Sequence, residues 1–594
     1  MIISVKNINK PFACSNKAMK AVFLKKIVFP ALLFLVSFIT YIPTAHYQNI
    51  YLDDDALAAN AGAGIKDIFK KDVFMGNGVK SGFYRPLLSL SFFIDKKAAD
   101  LFYKMKYLRK AQEHSDSAGN RESHTLVFHH VSNILLHSLF CLLLFYLLIY
   151  FEIHYVMAFL GTLLFAVFPP LAAAIAWLGG RNDILLGIFL AASIISLKKF
   201  ALKNFSSAYL ASLREKSQSG TGDIKSKSLF LRMVKSSGIQ FCILSFFFML
   251  AMFTKETAIA FVPLAFLYYA IEFLSFFKKN RLSINTALHK QTLFLSFAWL
   301  ALSVFLPCSI YFSLRCNADL AENAFSHISI GALPQLLYNM SSYLLPQSLM
   351  NVIPAWLASL FIPLLFLPFF FFFNKIFRVE RFFSAICLSR NAILGLAWFM
   401  FFFIPPLLSS DNPYGWFYMT HRLYVPACGL LLASLSVLSY YLIDNSCGME
   451  TVELINSSVL KGILKKNAFP LALFALFFMF SVFNALIGIQ SFSSCHAFNS
   501  RAIAENPKKA GLCYYSLARW HFDRKLYGLA EIYYRKAEEE KYITPYLRLC
   551  LAFIENRRGN YYSAYSELKK GLAEFPDDKY IKQNISLFNN YFSF

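Results

Sequence analysis

The chain has 594 residues and a formal net charge of +24, yet only 15% of its residues are charged and 57% are hydrophobic, with a mean hydropathy of +0.48. Soluble domains carry about 25% charged residues, so this composition excludes a soluble globular protein. It also excludes an intrinsically disordered chain, a secreted disulfide scaffold and a collagen-like fibre. We therefore predict an all-α polytopic membrane protein.

A helix needs about 20 mostly apolar residues to cross a bilayer, and eleven segments of the chain approach that length. In chain order they are 23–42, 126–150, 156–177, 184–200, 239–254, 257–276, 293–312, 353–373, 392–408, 423–443 and 468–490. The stretch 333–350 is also apolar, but proline and glutamine interrupt it, and we interpret it as an interfacial or re-entrant segment. The sequence thus predicts about eleven transmembrane helices within residues 1–490.

Lysine and arginine are concentrated in alternate loops, and such residues mark the cytoplasmic side of a membrane. The loops rich in basic residues are 198–238, 278–281, 375–390 and 461–466, and those with a single one are 178–183, 313–352 and 409–422. This pattern predicts a cytoplasmic N-terminus and an extracytoplasmic C-terminus, in a bacterial inner membrane or an ER membrane. Much of the positive charge is then a feature of topology, and we expect no nucleic-acid partner.

Two hydrophilic parts of the chain are predicted to lie outside the membrane, a first loop at 51–125 and a tail at 491–594. The eleven cysteines are scattered and form no Cys-x-x-Cys pair, which is typical of small buried hydrophobic residues. Cys495 and Cys513 both belong to the tail, so a disulfide between them and two separate thiols are both open.

The tail contains an internal repeat with an offset of 34 residues. The matching pairs are Ala518 with Ala552, Tyr527 with Tyr561, Ala530 with Ala564, and Ala537 with Gly571. Small residues where two helices cross, at this period, resemble the tetratricopeptide repeat. Because two units are fewer than the roughly three needed for a stable stack, we predict that 579–594 caps them. The repeats would either bind a protein or peptide or only brace the outer face.

Six motifs place polar or charged residues at the ends of predicted spans, where charge is costly and usually functional. They are Tyr51-Leu52-Asp53-Asp54-Asp55, Tyr84-Arg85-Pro86-Leu87-Leu88, the stretch Phe128 to His137, Gly179-Gly180-Arg181-Asn182-Asp183, Lys255-Glu256, and the stretch His421 to Gly429. On the predicted topology all six reach the outer face, whereas unrelated boundary charges would be divided between the two sides. We therefore expect them to converge on one site.

Each motif has a simpler interpretation when it is taken alone. The three acids at 53–55 are also typical of a solvated loop or of a Ca²⁺ site, and Lys255-Glu256 is typical of a boundary ion pair. His130, Asn133 and His137 share one helical face, which fits either metal ligands or an internal hydrogen-bonded seam. We predict the seam, and no metal site.

Acidic side chains beside a membrane surface, with Arg and Lys from several helices, suit one chemistry. A carboxylate can deprotonate an acceptor hydroxyl while the cations hold a lipid phosphate as it leaves. The planar guanidinium of Arg matches phosphate geometry.

The motif order is Asp-Asp, Tyr-Arg-Pro-Leu, His-x-x-Asn-x-Leu-Leu-His, Gly-Arg-x-Asp, Lys-Glu and Arg-Leu-Tyr-x-Pro-x-x-Gly. This order is similar to that of the transmembrane and tetratricopeptide-repeat O-mannosyltransferases and their bacterial relatives, within the C-type glycosyltransferase (GT-C) fold. The resemblance covers about 50–430, and the repeat tail lies where that family has its own repeats.

The resemblance implies a hexosyltransferase, of mannosyltransferase type, that uses a polyprenyl-phosphate sugar as donor and no separate cofactor. The sugar would pass with inversion to a hydroxyl of a protein or glycan acceptor. The implied roles are general base for Asp54, with Asp55 second; donor-phosphate binding for Arg85, Arg181, Lys255 and Arg422; and support of the cleft for His130, Asn133, His137, Asp183, Glu256 and Tyr424.

Two features depart from the family. His421 stands where the family usually has Glu before the Arg, and this tail has two repeats where the animal members have many. Two other classes stay open. One is a non-catalytic membrane scaffold that displays the repeats for envelope protein assembly. The other, less favoured, is a transporter, since the ionisable residues lie at the rim and not at mid-bilayer. The test that separates an enzyme from a scaffold is whether Asp54, Arg181, Lys255 and Arg422 line one cavity open to lipid.

Overall fold

The computed structural model describes residues 24–50, 54, 57, 64–73, 82–109, 118–217, 223–279, 287–318, 390–407, 419–444 and 468–592. Over these residues the chain is helical, and no β-strand occurs among them. The helices of the membrane body are α1 (Phe29–Tyr41), α2 (Pro86–Arg109), α3 (Ala118–Tyr150), α4 (Tyr155–Ala166), α5 (Ala172–Ala176), α6 (Arg181–Ser217), α7 (Asp223–Thr254), α8 (Phe261–Lys279), α9 (Ala287–Cys316), α10 (Arg390–Leu407), α11 (Tyr424–Asp444) and α12 (Ala468–Gln490). The helices of the tail are α13 (Cys495–Glu505), α14 (Gly511–Asp523), α15 (Tyr527–Glu539), α16 (Pro545–Arg557), α17 (Tyr561–Glu574) and α18 (Lys579–Phe592).

Six helical segments in the described part are long and apolar enough to cross a membrane, and they correspond to α1, α3, α6, α8, α9 and α11. Two further segments are bent, by 54° between α4 and α5 and by 105° between α12 and α13, and counting each as one span gives eight. Both α7 and α10 contain a shorter apolar stretch. The helices support a multi-pass membrane body. The count of eleven stays a prediction, because the span at 353–373 lies outside the described residues, as does the interfacial or re-entrant stretch predicted at 333–350.

The bend after α4 follows from two prolines. Phe168 is extended (φ −68°, ψ 118°) because the residue before a proline avoids the helical region. Pro170 has no N–H to donate to the carbonyl of Ala166, four residues earlier. His137 donates instead, with its Nε2 3.1 Å from the Ala166 oxygen. The single span predicted at 156–177 is therefore divided, and the break gives α3 a backbone carbonyl to bind.

The contacts distinguish the two ends of the membrane body. At the end that carries the basic loops, which we call the basic end, Arg390 pairs with Glu152 and Glu272, both at 3.3 Å. At the opposite end, which carries the charged motifs and which we call the motif end, the Gln48 N–H donates to the Ser493 carbonyl at 3.0 Å. The chain after α1 and the start of the tail therefore lie at the same end. Which of the two ends faces the cytoplasm stays a prediction.

The backbones of α10 and α11 touch where two glycines meet. A Cβ atom on Gly395 would lie 2.5 Å from the Gly429 oxygen, and one on Gly429 would lie 2.6 Å from the Gly395 oxygen. Any side chain at either position would push the helices apart, and small residues are typical of such crossings in membranes. This packing fixes α11 just after its first turn, where the stretch His421 to Gly429 enters the helix.

The tail contains two helical hairpins of the same geometry, α14–α15 and α16–α17. Their helices begin 34 residues apart, at 511 and 545 and at 527 and 561. The turns also match, since Lys525 and Gly559 have positive φ values of 61° and 83°. Each donates its N–H to the carbonyl three residues earlier, in Phe522 and Asn556. The 34-residue repeat is thus present in the structure, whereas its assignment to the tetratricopeptide family stays a resemblance.

The ends of the tail are both packed. The last helix, α18, covers the second hairpin, where a Cβ on Gly571 would lie 3.0 Å from Cδ1 of the buried Ile581. At the other end, Phe498 of α13 belongs to the main hydrophobic core of the membrane body. Within the described tail Cys495 and Cys513 are buried and form no disulfide with each other.

Candidate functional site

Charged and polar side chains, most of them buried, gather at the motif end in two adjacent groups. The Lys255 cluster is Arg85, Asp183, Lys255, Glu256 and His421, and the Arg181 cluster is Ser91, Asp95, His129, Ser132, Asn133 and Arg181. The two groups are adjacent because Arg181 and Asp183 both lie in the first turn of α6. The structure therefore brings together residues of the five motifs that begin at Tyr84, Phe128, Gly179, Lys255 and His421.

Two ion pairs and a nearby imidazole form the Lys255 cluster. The Lys255 ammonium donates to Asp183 Oδ1 at 2.7 Å. The Arg85 guanidinium makes a two-pronged contact with Glu256, with Nη2 2.9 Å and Nε 3.1 Å from Oε2. His421 Nε2 lies 4.0 Å from Asp183 Oδ2. These contacts connect four segments that are distant in sequence, at positions 85, 183, 255–256 and 421.

Lys255, Arg85 and Asp183 each lie at or next to the end of a helix. Lys255 is extended (φ −159°, ψ 136°) between α7 and a 3₁₀ turn that starts at Glu256. Arg85 immediately precedes Pro86, a residue favoured at the first position of a helix. Asp183 lies in the first turn of α6, where the positive end of the helix dipole stabilises a carboxylate.

The charges of the Lys255 cluster are not arranged for stability alone. Arg85 and Arg422 are close enough to Lys255 to repel it electrostatically. Asp183 is buried, and its Oδ2 has no hydrogen-bond partner among the described residues. Buried ion pairs often fail to repay their desolvation, and an unused buried acceptor costs more. The cluster therefore holds like charges and an acceptor oxygen without a hydrogen bond among the described residues.

The Arg181 side chain is completely buried, and each of its three nitrogens is engaged. Nη1 lies 2.7 Å from Asp95 Oδ2, Nε donates to Asn133 Oδ1 at 2.6 Å, and Nη2 donates to the His129 carbonyl at 2.7 Å. The guanidinium also lies 4.0 Å from the centre of the Phe92 ring. Arg181 therefore holds α2, α3 and α6 together, and this geometry does not favour the phosphate-binding role that the sequence suggested for it.

Asp95, the partner of Arg181, was missed by sequence reasoning. Its Oδ1 also accepts from Ser132 at 2.6 Å, and its Oδ2 lies 3.0 Å from His129 Nδ1. Burial alone would raise the pKa of Asp95, but Arg181 and these hydrogen bonds hold the pKa below its usual value. The available signal was its spacing from Phe92 and Ala99, which places an acid on the apolar face of α2 where it must find a partner.

Asn133, His137 and Tyr424 form a hydrogen-bonded seam between helices. Asn133 donates to the Ile175 and Trp177 carbonyls at 3.3 and 3.2 Å. His137 uses Nε2 for a carbonyl, which can only accept, so its Nδ1 must accept from the Tyr424 hydroxyl at 2.8 Å. This geometry favours the seam interpretation for these residues.

His130 behaves differently from its neighbours on the same helical face. It is buried, and neither ring nitrogen has a hydrogen-bond partner among the described residues. Its ring packs edge-on against Tyr47, with 6.2 Å between centroids. The described residues contain no group of three His, Cys, Asp or Glu side chains that could hold a metal ion.

Asp54 is buried at the motif end, where its Oδ2 accepts from the Ile50 N–H at 3.2 Å. Leu57, three residues later, belongs to a small hydrophobic cluster with Leu178 and Leu185, which flank the turn that carries Asp183. Asp54 and Leu57 are thus packed at the end of the body that holds both charged clusters. Asp53 and Asp55 lie outside the described residues.

No family model, curated protein or solved structure matches this chain. The function is therefore inferred from the chemistry of the site and from the motif resemblance. Chemically, Arg85 and Lys255 of the cluster, together with the nearby Arg422, are cations that could hold an anion, and the cluster also offers carboxylate oxygens for a hydroxyl proton.

Proposed function

We propose that the chain is a membrane glycosyltransferase that moves a sugar from a polyprenyl-phosphate-linked donor to an acceptor hydroxyl at the extracytoplasmic face. The Lys255 cluster carries the proposal, because five ionisable residues from four segments meet there, four of them buried and Glu256 partly buried. Ionisable groups buried at the end of a membrane bundle are costly and usually functional. A lipid-linked substrate would reach this end from the outer leaflet.

The reaction needs a cationic site because charge develops on the phosphate. The bond between the anomeric carbon and the phosphate oxygen breaks, and its electron pair stays on that oxygen. The donor phosphodiester carries one negative charge, whereas a phosphate monoester carries about 1.5 to 2 at neutral pH. Preorganised cations that face the growing charge lower the barrier. Arg85, Lys255 and Arg422 would take this role, with Arg181 as a positioning residue.

The acceptor oxygen attacks the anomeric carbon from the face opposite the phosphate, which inverts the configuration. Its proton must pass to a base, and a carboxylate held away from bulk water is suited to that task. Asp54 is the proposed base, with Asp55 second. Asp183 Oδ2 would accept a hydrogen bond from a hydroxyl of the substrate, since it has no hydrogen-bond partner among the described residues and His421 Nε2 lies 4.0 Å away.

The tail supports a second candidate function. Because Phe498 of α13 packs in the core of the membrane body, the repeats are held at a fixed place beside the motif end. A non-catalytic scaffold that presents the repeats to envelope proteins would use this feature alone. In an enzyme, the same feature would hold a protein or glycan acceptor near the cluster.

The experiment uses membranes that contain the wild-type chain, the Arg422→Ala variant or neither. Each preparation is incubated with a panel of labelled polyprenyl-phosphate hexoses and, in parallel, with labelled nucleotide sugars. We expect transfer from one lipid-linked sugar by the wild type and much less by the variant. Transfer from a nucleotide sugar, or no transfer from any lipid-linked sugar, would contradict the proposal.

A further inference from the structure

The helix α2, which belongs to the first predicted extracytoplasmic loop, has three faces that differ in burial and polarity. Leu88, Phe92, Asp95 and Ala99 are buried against the body, as their spacing of four, three and four residues requires. A second face carries the exposed Lys97 and Lys104, with Asp100 between them.

The third face of α2 is apolar and exposed. Ile94, Leu101 and Met105 share it at intervals of seven and four residues, and they are 57%, 59% and 50% exposed within the described part of the chain. We call these three residues the α2 stripe. Three large apolar side chains aligned on a helix need a cover, because exposed apolar patches mark binding or membrane surfaces.

The position of α2 indicates what covers the stripe. The helix begins directly after Arg85, which is bound to Glu256 at the end of α7, and Asp95 is bound to Arg181 at the start of α6. Two apolar helices thus end or begin at the level of α2. The helix therefore lies at the depth where the hydrocarbon of a bilayer meets its headgroups.

We propose that α2 lies in the membrane interface, with the α2 stripe among the acyl chains and its lysines at the headgroups. An apolar face beside a lysine-bearing face is the pattern of helices that lie in the plane of a membrane. Lys97 and Lys104 are complementary to anionic lipid phosphates. The lipid bilayer is the occupant, and the proposal does not depend on glycosyl transfer.

The proposal gives lipid a mechanical connection to the site. Asp95 lies on the face of α2 that contacts Arg181, and Arg85 stands at its first turn. Insertion of the α2 stripe into the bilayer would fix the position of both charged clusters relative to the membrane surface.

Depth-dependent fluorescence quenching tests the proposal in the full-length protein. An environment-sensitive probe is attached in turn to Ile94→Cys and Leu101→Cys, and to the matched controls Lys97→Cys and Lys104→Cys. The background replaces by serine the exposed cysteines and those outside the described residues, which are Cys14, Cys242, Cys316, Cys387 and Cys447. Each variant is reconstituted in phosphatidylcholine vesicles with a fraction of phosphatidylglycerol.

We expect a nitroxide lipid labelled near the top of its acyl chain to quench the probes at 94 and 101 several-fold more strongly than those at 97 and 104. Aqueous iodide should give the opposite order. Equal quenching of all four probes by iodide would overturn the proposal, because the stripe would then face water. Probes at 94 and 101 reached by neither quencher would overturn it too, because protein would then cover the stripe.

Discussion

The membrane body and the tail both bury arginines among carboxylates, but the two networks are built differently. In the tail, Arg548 binds Glu574 at 2.6 Å and Glu567 at 3.0 Å, and all three residues lie in α16 and α17. In the body, Arg85 and Glu256 are 171 residues apart and come from different motifs. The tail network is local, whereas the Lys255 cluster gathers distant segments.

The local network has a packing explanation. Arg548 also contacts Glu538 of α15 at 2.6 Å, so one side chain joins three successive helices. A Cβ on Gly571 would lie 3.0 Å from the Arg548 Cβ, which shows how tightly α16 and α17 meet. The contacts of Arg548 thus hold neighbouring repeat helices together, which explains why this charge is buried.

The Lys255 cluster lacks such an explanation. Arg85 and the nearby Arg422 repel Lys255, and the Asp183 carboxylate keeps one oxygen without a hydrogen bond among the described residues. In a network built for stability, each buried polar group would have a hydrogen-bond partner. Buried charge points to function in the Lys255 cluster because its pairing is incomplete, whereas the paired charges of the tail are explained by packing.

The largest effect is expected for Arg181→Met, because it leaves the Asp95 carboxylate buried without its cation. Removing one partner of a buried pair costs about 3–5 kcal/mol, so the thermal midpoint of the protein in detergent should fall sharply. Lys97→Met, at an exposed lysine of the same helix as Asp95, is the control and should change it little. A silent Arg181→Met would mean that Arg181 does not hold the fold.

The tail should respond next, and independently. Arg548→Met removes a cation with 3% of its side chain exposed and should cost about 3 kcal/mol of local stability. Arg558→Met, at a 43% exposed arginine, should cost less than about 1 kcal/mol. Hydrogen exchange of tail peptides in the full-length protein measures both. A loss of protection that spreads to α6 or α7 would refute the separation of the two networks.

Arg422→Ala should leave the fold intact and weaken donor binding. A hydrogen bond to a charged group is worth about 1.5–3 kcal/mol, which corresponds to roughly ten- to a hundred-fold in affinity. Arg422→Lys should recover only part of the loss, because it lacks the planar fork. Titration of each variant with a non-transferable lipid-phosphate sugar would measure the change in donor affinity. Unchanged affinity in both variants would remove Arg422 from the phosphate site.

The smallest effect is a pH dependence of the tail. Burial would raise the pKa of Glu567, but Arg535 and Lys570 lower it overall, and Arg548 and Arg535 do the same for Glu538. A lowered folded pKa stabilises the tail above the unfolded pKa, near about 4.3, and the contribution is lost as pH falls through the folded pKa. Hydrogen exchange, corrected for its intrinsic rate, should therefore show opening only in acid. Opening on alkalinisation would contradict this.

Much of the architecture could be read from the sequence. The 34-residue offset predicted two hairpins because small residues must recur where helices cross, as at Ala530 and Ala564. The motifs containing Arg85, Asp183 and Lys255 were expected at one end, because basic loops alternate with them, and in the structure they do lie together.

The partners of the charged residues could not be read in the same way. Asp95 lies in a hydrophilic helix that gave no transmembrane signal, so its pairing with Arg181 depends on how α2 docks on α3 and α6. The break after Ala166 is a consequence of Pro169 and Pro170, but the donor that satisfies its carbonyl comes from another helix. Such contacts are tertiary, and no local pattern encodes them.

The most direct measurement of the central claim compares Asp54→Asn with Asp53→Asn. The amide keeps the size of the side chain and removes the base, so turnover of the lipid-linked donor should fall by about 10²–10⁴, while donor binding and thermal stability stay near wild type. Asp53→Asn should be nearly silent. A Ca²⁺ site would instead predict similar losses at both positions, reversed by calcium. An active Asp54→Asn protein would contradict the account.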